Sequence, residues 1–234
     1  MRRILVALLA IGAISAVAAP ALAATPASPA WESSARLGAW NNGGFIVYNN
    51  EWNQSAGPQT IWAYSYRHWG VRSAQAAGNT AVETYPSVQK NYANVPLSSF
   101  RMIRNGFTEA MPADATGLDA EAADDVWLNN YGIEVMIWVD NHGQTPAGNV
   151  IGHATIFGQR FAVWHGGTDY TFALNRNETT GMTHILASLH WLVVNRYIPA
   201  SATLTQVDFG WEIASTDGTP RDFAVTSYWL HTKR

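Results

Sequence analysis

The chain of 234 residues contains no cysteine. Disulfides, zinc–thiolate sites and a cysteine nucleophile are therefore excluded. Charged residues are also scarce, at 13% of the sequence against the roughly 25% that is usual for a soluble domain. With a formal charge of -3 and no basic stripe, the chain lacks the positive surface that binding to nucleic-acid phosphates requires.

Long apolar runs are absent except at the N-terminus. Two arginines there precede an apolar run over residues 4–19, which is too short to span a bilayer comfortably. Pro20 follows the run, and residues 21–23 read Ala-Leu-Ala, the small-x-small pattern of a cleavage site. We interpret residues 1–24 as a cleaved secretory signal and not as a membrane anchor. This predicts a secreted, extracellular protein with no membrane partner.

The rest of the chain has the pattern of one β-rich domain. Residues 25–36 are expected to form a short flexible lead-in, and residues 37–234 are long enough for a single all-β domain. Strand-like segments recur throughout, whereas helical periodicity is clear only over residues 180–195. We find no strand–helix–strand alternation. The pattern predicts an antiparallel β-jelly roll of two packed, curved sheets with one α-helix on the convex face.

Three stretches complete the predicted order of elements. Residues 82–88 have the pattern of a strand that ends at proline. Residues 108–123 are rich in Ala, Asp and Glu and predict a short helix or a loop. Between residues 150 and 174, three short strands have the spacing of an antiparallel meander.

Two glutamates interrupt segments that otherwise predict buried strands. In residues 132–140, aliphatic side chains alternate with a polar and aromatic set. That set comprises Glu134, Met136, Trp138 and Asp140. In residues 205–214 the same alternation places Glu212 on one face with Asp208 and Gly210.

Paired carboxyl groups beside tryptophans suit carbohydrate chemistry. The chain has 11 tryptophans, whose flat rings match the C–H face of a pyranose. Cleavage of a glycosidic bond uses two carboxyl groups placed across a cleft. A lone glutamate on a strand is usually an ordinary exposed residue, but two in matching contexts are less common. Composition and spacing leave a carbohydrate-active site and two ordinary surface glutamates equally open.

Three segments narrow this choice. Residues 125–128 read Asp-Val-Trp-Leu, residues 134–138 read Glu-Val-Met-Ile-Trp, and residues 209–213 read Phe-Gly-Trp-Glu-Ile. Together they resemble glycoside hydrolase family 12, which comprises secreted retaining endo-β-1,4-glucanases and xyloglucanases with a β-jelly-roll fold. Residues 49–52 and 85–88 also fit the family pattern. The resemblance therefore spans nearly the whole mature chain in the right order.

The resemblance implies roles for individual residues. Glu134 would be the nucleophile and Glu212 the general acid/base, while Asp125 would orient the nucleophile or share a proton with it. The remaining expected substrate-binding residues are Asn50, Trp52, Met136, Trp138 and Pro146. No metal or organic cofactor is expected, and the seven histidines show no ligand spacing.

The implied reaction is a double displacement on a β-glucan. Ionised Glu134 would attack, and its charge would keep Glu212 protonated. Retention requires the two carboxyl groups to lie about 5 to 5.5 Å apart, whereas about 8 Å would indicate inversion. The expected enzyme is a monomeric cellulase that degrades cellulose-like β-1,4-glucans.

Other functions remain open. A xyloglucan-specific endoglucanase of the same family would share these residues, and a non-catalytic jelly-roll lectin would share the composition. A structural cell-wall protein is a more distant alternative. The chain also departs from the family pattern, with Asn53 where glycine is common, Trp211 where a smaller aromatic is frequent, and Asp124 in place of tyrosine.

Overall fold

The computed structural model of the protein describes residues 28–234. The predicted signal segment lies outside this range. Within it, the chain forms fifteen β-strands, a short 3-10 turn at Leu97–Ser99 and one α-helix. The strands are β1 Trp31–Ser33, β2 Ala39–Asn42, β3 Phe45–Tyr48, β4 Gln59–Ser65, β5 His68–Ser73, β6 Ser87–Pro96, β7 Met102–Ala110, β8 Leu118–Leu128, β9 Ile133–His142, β10 Asn149–Ile156, β11 Gln159–Gly166, β12 Asp169–Leu174, β13 Thr180–Thr183, β14 Thr203–Thr216 and β15 Arg221–Lys233, and the helix is α1 Ile185–Val194.

The strands form two sheets that pack face to face. The smaller sheet has the order β1-β4-β5-β15-β7-β13, and the larger has the order β10-β11-β12-β9-β8-β14-β6-β3-β2. Large apolar side chains from both sheets fill the space between them, among them Val47, Trp69, Phe209, Trp211 and Phe223. The predicted all-β jelly roll is confirmed.

Strand β14 shows how alternation divides the larger sheet into a core face and an open face. Phe209, Trp211 and Ile213 are fully buried towards the smaller sheet. The ring of Trp211 lies 5.0 Å from the ring of Trp69, tilted by 59°. Side chains at the alternate positions of β14 point the opposite way. Because the apolar side chains of β14 occupy the core face, its acidic side chains lie on the open face.

The helix starts five residues later than its sequence pattern predicts. Residues Thr180–Thr183 form β13, which pairs with the edge of β7, and α1 begins only at Ile185. Met182 fits the helical periodicity, but here it pairs with the open edge of β7. Backbone pairing therefore outweighs the sequence pattern. The helix buries Ile185 and Leu189 in a cluster with Val135 of β9, on the face of the larger sheet opposite the acids. In residues 28–234, no helix has the length and apolar character needed to cross a membrane.

Three other expectations from the sequence are wrong in whole or in part. Of the stretch 108–123, only residues 111–117 form the predicted loop, because the flanking residues supply the end of β7 and the first half of β8. In residues 82–88, only Thr84 forms an isolated bridge, and strand β6 starts after the proline. Part of the predicted lead-in forms β1, which pairs with β4. In residues 118–123 and 31–33, pairing with a neighbouring strand outweighs local composition, whereas most of residues 82–86 lack a pairing partner.

The larger sheet is antiparallel except at one place. Strand β12 runs parallel to β9, with Asp169 opposite Glu134. The chain leaves β9 for the sheet edge at β10 and returns through β11 and β12. The predicted meander of β10 to β12 is confirmed as antiparallel, but its junction with β9 is parallel.

A β-bulge in β9 changes the face on which Asp140 lies. Ala122 pairs with Asp140 and Ala123 with Trp138, so Val139 is the extra residue. Val139 packs between the sheets. Asp140 lies close enough to Glu109 of β7 to raise the pKa of Glu109. The predicted placement of Asp140 on the face of Glu134 is therefore wrong. Past the bulge its carboxyl points into the protein interior.

Two buried carboxyl groups in the interior make stability depend on pH. Asp124 is fully buried and accepts a hydrogen bond from Nδ2 of Asn105. Burial raises the pKa of Asp124 to about 8, and it raises the pKa of Glu109 to about 8 as well. In the unfolded chain, both carboxyl groups would titrate near 4. The folded state therefore binds more protons between about pH 4 and 8, so stability is highest at the acidic end and falls as the pH rises.

We predict that Asp124→Asn reduces this loss of stability. The asparagine has nearly the same shape and cannot ionise, so the fall in unfolding free energy between pH 5 and 8 should shrink by up to about 4 kcal/mol. Urea unfolding at the two pH values measures it. Asp222→Asn serves as the control because that carboxylate is exposed. An equal fall in Asp124→Asn and in the unmutated protein would contradict the assignment.

Candidate active site

The open face of the larger sheet forms a cleft of about 420 Å³. Three kinds of side chain line it. The acids are Asp125, Glu134, Asp208 and Glu212, the aromatic residues are Trp52, Tyr85, Trp127 and Tyr131, and the amides are Asn50, Gln89 and Gln206. Neither lysine nor arginine belongs to this lining as the structure describes it. The surface is therefore acidic and aromatic, without a compensating cation.

Three central strands supply the acids. Strand β8 lies between β9 and β14 and carries Asp125 directly opposite Asp208. Glu134 of β9 lies opposite Trp127, the residue two positions after Asp125. Directly opposed residues of neighbouring strands share a face, with their Cβ atoms about 5 Å apart. The pairing register thus brings Asp125, Asp208 and Glu134 together.

Glu212 reaches the same cleft from further along the sheet. Glu212 lies opposite Glu121 of β8. The residue of β14 that is level with Glu134 is Gln206, because both lie opposite Trp127 of β8. Glu212 is therefore six residues further along its strand than the level of Glu134. Along a straight strand, this offset would separate the two levels by about 20 Å. The charge of Glu212 nevertheless raises the pKa of Glu134, and both line one cleft. The sheet must therefore curl along its strands to bring the two glutamates towards each other.

Glu134 combines burial with a hydrogen bond that favours its ionised form. Burial, followed by the charges of Glu212 and Asp169, raises its pKa to about 8. A hydrogen bond from Asp125 acts in the opposite direction. Asp125 is itself held by the indole of Trp127, whose Nε1 donates to Oδ2 at 2.8 Å. Burial and the neighbouring acids raise the pKa of Asp125 well above its usual range, so this carboxyl carries a proton to donate.

Glu212 also binds its proton more tightly than an exposed glutamate does. Burial raises its pKa to about 7, the charge of Asp169 adds to the increase, and a hydrogen bond with Glu121 lowers it. The sequence predicts the charge of Glu134 as the cause of this raised pKa, but the structure gives burial and the charge of Asp169 instead. The charge of Glu212 raises the pKa of Glu134, so the pair shares its last proton. The pKa of Glu134 is the higher of the two by about one unit, even with the effect of Asp125 included. Glu134 can act as the nucleophile that the resemblance implies only in the form that carries the shared proton on Glu212.

A buried polar network holds the loop that presents Asn50 and Trp52. Asn49 donates from Nδ2 to Glu51 at 2.7 Å and accepts from Nε2 of Gln59 at 3.0 Å. Asn50 adopts a positive φ of 42°, a conformation that asparagine tolerates better than most residues. The indole of Trp52 is left 52% exposed at the cleft, where it is free to stack on a ligand.

The other three predicted substrate-binding residues do not line the cleft. Met136 and Trp138 are buried and form a small cluster with Ala123, in which the indole Nε1 lies 3.5 Å from the methionine sulfur. Pro146 is buried in the loop that follows β9. The structure therefore places Met136 and Trp138 in the floor beneath the site.

Several residues of the cleft were not predicted from the sequence. Alternation along β14 placed Asp208 on the face of Glu212, and the same alternation along β8 links Trp127 to Asp125, so both signals were present. Tyr131 belongs to the β8–β9 turn, where its φ of 65° is unusual for an aromatic residue. No periodicity predicts the position of such a side chain. In residues 28–234, no group of three or more His, Cys, Asp or Glu side chains is arranged to hold a metal ion.

Comparison with known proteins finds glycoside hydrolases among the relatives of this chain. No protein-family model matches the chain. The inactive glycoside hydrolase XLP1 of Phytophthora nicotianae is 25% identical over 208 residues, which cover 80% of this chain and 85% of that protein.

Two solved structures share the fold over nearly their whole length. The xyloglucanase domain of NopAA, a type three effector from Sinorhizobium fredii solved with cellobiose, has a TM-score of 0.79 at 23% identity and covers 88% of this chain and 100% of its own. A family 12 xyloglucanase from Bacillus licheniformis has a TM-score of 0.77 at 20% identity and covers 87% and 100%. At these identities the likeness establishes the fold.

We predict that Trp52→Ala weakens oligosaccharide binding about 10-fold, because a stacked aromatic ring contributes about 1 kcal/mol or slightly more. Isothermal titration with cellotetraose measures the dissociation constant. The experiment uses a Glu134→Gln background so that no turnover occurs. Leu37→Ala is the matched control, since this side chain is also exposed and does not line the cleft. Equal affinity in the two variants would remove Trp52 from the binding site.

Proposed function

We propose that this chain, which has the fold of glycoside hydrolase family 12, is an endo-acting β-1,4-glucan hydrolase that retains anomeric configuration. One observation carries the proposal: Glu134 and Glu212 come from separate strands and line one open cleft beside aromatic rings. A fold alone does not decide activity, and one relative is inactive. The proposal therefore depends on the carboxyl groups and their protons.

In the first step, a carboxylate oxygen of Glu134 attacks the anomeric carbon while Glu212 transfers its proton to the leaving oxygen. The C–O bond to Glu134 forms as the glycosidic bond breaks. The proton on Asp125 supports this step, because it stabilises the ionised form of Glu134. The indole of Trp127 fixes Asp125 in place. Glu134 becomes a neutral ester, and Glu212 becomes a carboxylate.

In the second step, Glu212 takes a proton from a water molecule, and the water oxygen attacks the anomeric carbon. The bond to Glu134 breaks, so the nucleophile is ionised again and Glu212 has regained its proton. Two displacements at one carbon restore the original configuration. The cycle needs Glu212 to be acid and base in turn, which its pKa of about 7 permits near neutral pH.

The lining of the cleft supports a neutral polysaccharide as the substrate. Aromatic rings at Trp52, Trp127 and Tyr131 offer stacking surfaces, and amides at Asn50 and Gln206 offer hydrogen bonds to hydroxyl groups. An acidic polymer would meet four carboxyl groups there. Because two neighbours in fold are described as xyloglucanases, we keep xyloglucan as the second candidate beside cellulose-like glucans. We further infer secretion from the N-terminal signal pattern.

Product analysis tests the reaction. We predict that β-1,4-glucan, mixed-linkage glucan or xyloglucan is cleaved internally and that NMR of the first product shows the β-anomer. Glu134→Gln and Glu212→Gln should each lower kcat at least about 1,000-fold, since each removes a group that reacts directly. Asp222→Asn, at an exposed carboxylate, is the control.

Two outcomes would contradict this proposal. An α-anomer as first product would indicate inversion, as would a crystal structure with the Glu134 and Glu212 carboxyl groups about 8 Å apart in place of the expected 5 to 5.5 Å. Oligosaccharide binding without cleavage of any of the three polymers would favour the lectin.

The pH profile gives a further prediction. Activity requires Glu134 to be ionised and Glu212 to be protonated, so kcat/KM should be bell-shaped. Burial raises the two pKa values to about 8 and about 7, and the shared proton is therefore held near neutral pH. We expect the maximum near pH 7, whereas a maximum near pH 4.5, the value for exposed glutamates, would contradict the burial argument. Initial rates at low substrate concentration measure the profile.

A further inference from the structure

Another carboxyl group lies behind the cleft, at Glu121. This residue is on β8, directly opposite Glu212 on β14 and Asn141 on β9. Its side chain is completely buried. Because opposed residues share a face of the sheet, its carboxyl points to the same side as that of Glu212. It does not belong to the cleft lining, so substrate would not touch it.

No donor from another residue satisfies the Glu121 carboxyl. Both of its oxygens are buried without a hydrogen-bond donor. The neighbouring amide of Asn141 is engaged elsewhere, since its Nδ2 donates to the carbonyl of Gln144 at 2.9 Å and its Oδ1 accepts from the Gln144 N–H at 3.1 Å. A buried carboxylate without a partner would be very costly. A proton on Glu121 removes that cost.

In the part of the chain that the structure describes, every titratable group that acts on this pair is a carboxylic acid or a tyrosine. The charges of Glu212 and Asp119 raise the pKa of Glu121. The titratable groups that face Glu212 are Glu121, Glu134, Asp125, Asp169 and Tyr85. Among these neighbours there is no lysine, arginine or histidine. Deprotonation of Glu121 would therefore add a charge of the same sign to the cluster.

Because Glu121 and Glu212 are directly opposed on neighbouring strands and share a face of the sheet, their carboxyl groups lie within reach of a hydrogen bond. Two carboxylates only accept hydrogen bonds, so this contact requires a proton on one of them. Burial raises the pKa of Glu121 well above its usual range, and the charge of Glu212 raises it further. The pKa of Glu212 rises only to about 7. When a single proton remains on the pair, it therefore stays on Glu121.

We propose that Glu121 is a positioning residue that keeps its proton throughout the cycle and donates a hydrogen bond to Glu212. The proposal rests on the proposed function and deepens it. The proton that reaches the leaving group comes from Glu212, and the proton taken from water returns to Glu212. Glu121 neither gains nor loses a proton during the cycle. Its O–H stabilises the carboxylate that Glu212 becomes after the first step, which makes Glu212 a stronger acid than burial alone would allow.

Two substitutions of similar size test this role. Glu121→Gln keeps a neutral donor, so the basic limb of the kcat/KM profile, which reports Glu212, should stay where it is. Glu121→Met has about the same length but no donor, so the basic limb should move up by about one to two pH units, the amount expected for a lost hydrogen bond to a charged group. A residue that merely fills space would leave both profiles unchanged.

Other shifts would overturn the proposal. A basic limb that moves down in Glu121→Gln would show that Glu121 is ionised at working pH, because removal of a negative charge lowers the pKa of Glu212. An unshifted limb in Glu121→Met would show that the hydrogen bond has no effect on Glu212. Thermal unfolding controls for folding. If Glu121→Met does not fold, Glu121→Gln still distinguishes a protonated from an ionised Glu121.

Carbon-13 NMR gives a readout that needs no turnover. Protein labelled at the glutamate carboxyl carbon is titrated, and Glu212→Gln identifies the Glu212 signal. We expect the midpoint of that signal to rise in Glu121→Met and to stay constant in Glu121→Gln. If no polymer is cleaved but the midpoint rises, the proposed function fails and this inference stands. If polymers are cleaved but the midpoint does not move, the inference fails and the proposed function stands.

Discussion

The carboxyl groups of this cleft are neutralised by bound protons and not by basic side chains. Four carboxyl groups line it, and a fifth, Glu121, lies buried behind it, yet no basic side chain belongs to the lining. Carboxylates this close together and this poorly solvated cannot all be ionised. The raised pKa values of Asp125, Glu134 and Glu212 follow from this one constraint. Hydrogen bonds then lower the pKa of individual acids, as Asp125 does for Glu134 and Glu121 does for Glu212.

The opposite face of the sheet makes this concentration of acid possible. The strands that carry the acids also carry fully buried apolar residues, such as Val135 on β9 and Phe209 and Trp211 on β14. Burial of such side chains stabilises a fold by about 1.5 to 3 kcal/mol each, which offsets the cost of crowded carboxyl groups. Between Asp208 and Glu212, Gly210 lets β14 pass Pro86, whose carbonyl oxygen lies 2.1 Å from where a Cβ would stand.

The sequence predicted those features that depend on one strand at a time. Alternation along β9 and β14 predicted Glu134 and Glu212 on the open face, where both line the cleft. The resemblance added Asp125, Asn50 and Trp52, which line the cleft, and Met136, Trp138 and Pro146, which do not. Features that depend on neighbouring strands were missed. The segment that contains Glu121 resembles an exposed helix in composition, because only the pairing of β8 with β9 and β14 buries it. The bulge at Val139, the curl of the sheet and the parallel β12 also have no local signal.

Neutron diffraction of the unliganded protein near neutral pH would test the central claim most directly, because it shows which carboxyl groups hold a proton. Our account predicts deuterium on Asp125 and on Glu121, with the deuterium of Glu121 directed at Glu212, and one further deuterium shared between Glu134 and Glu212. Two bare carboxylates at Glu134 and Glu212 would contradict the shared proton on which the reaction depends. A bare Glu121 would contradict the view that protons alone balance the charge of this cleft.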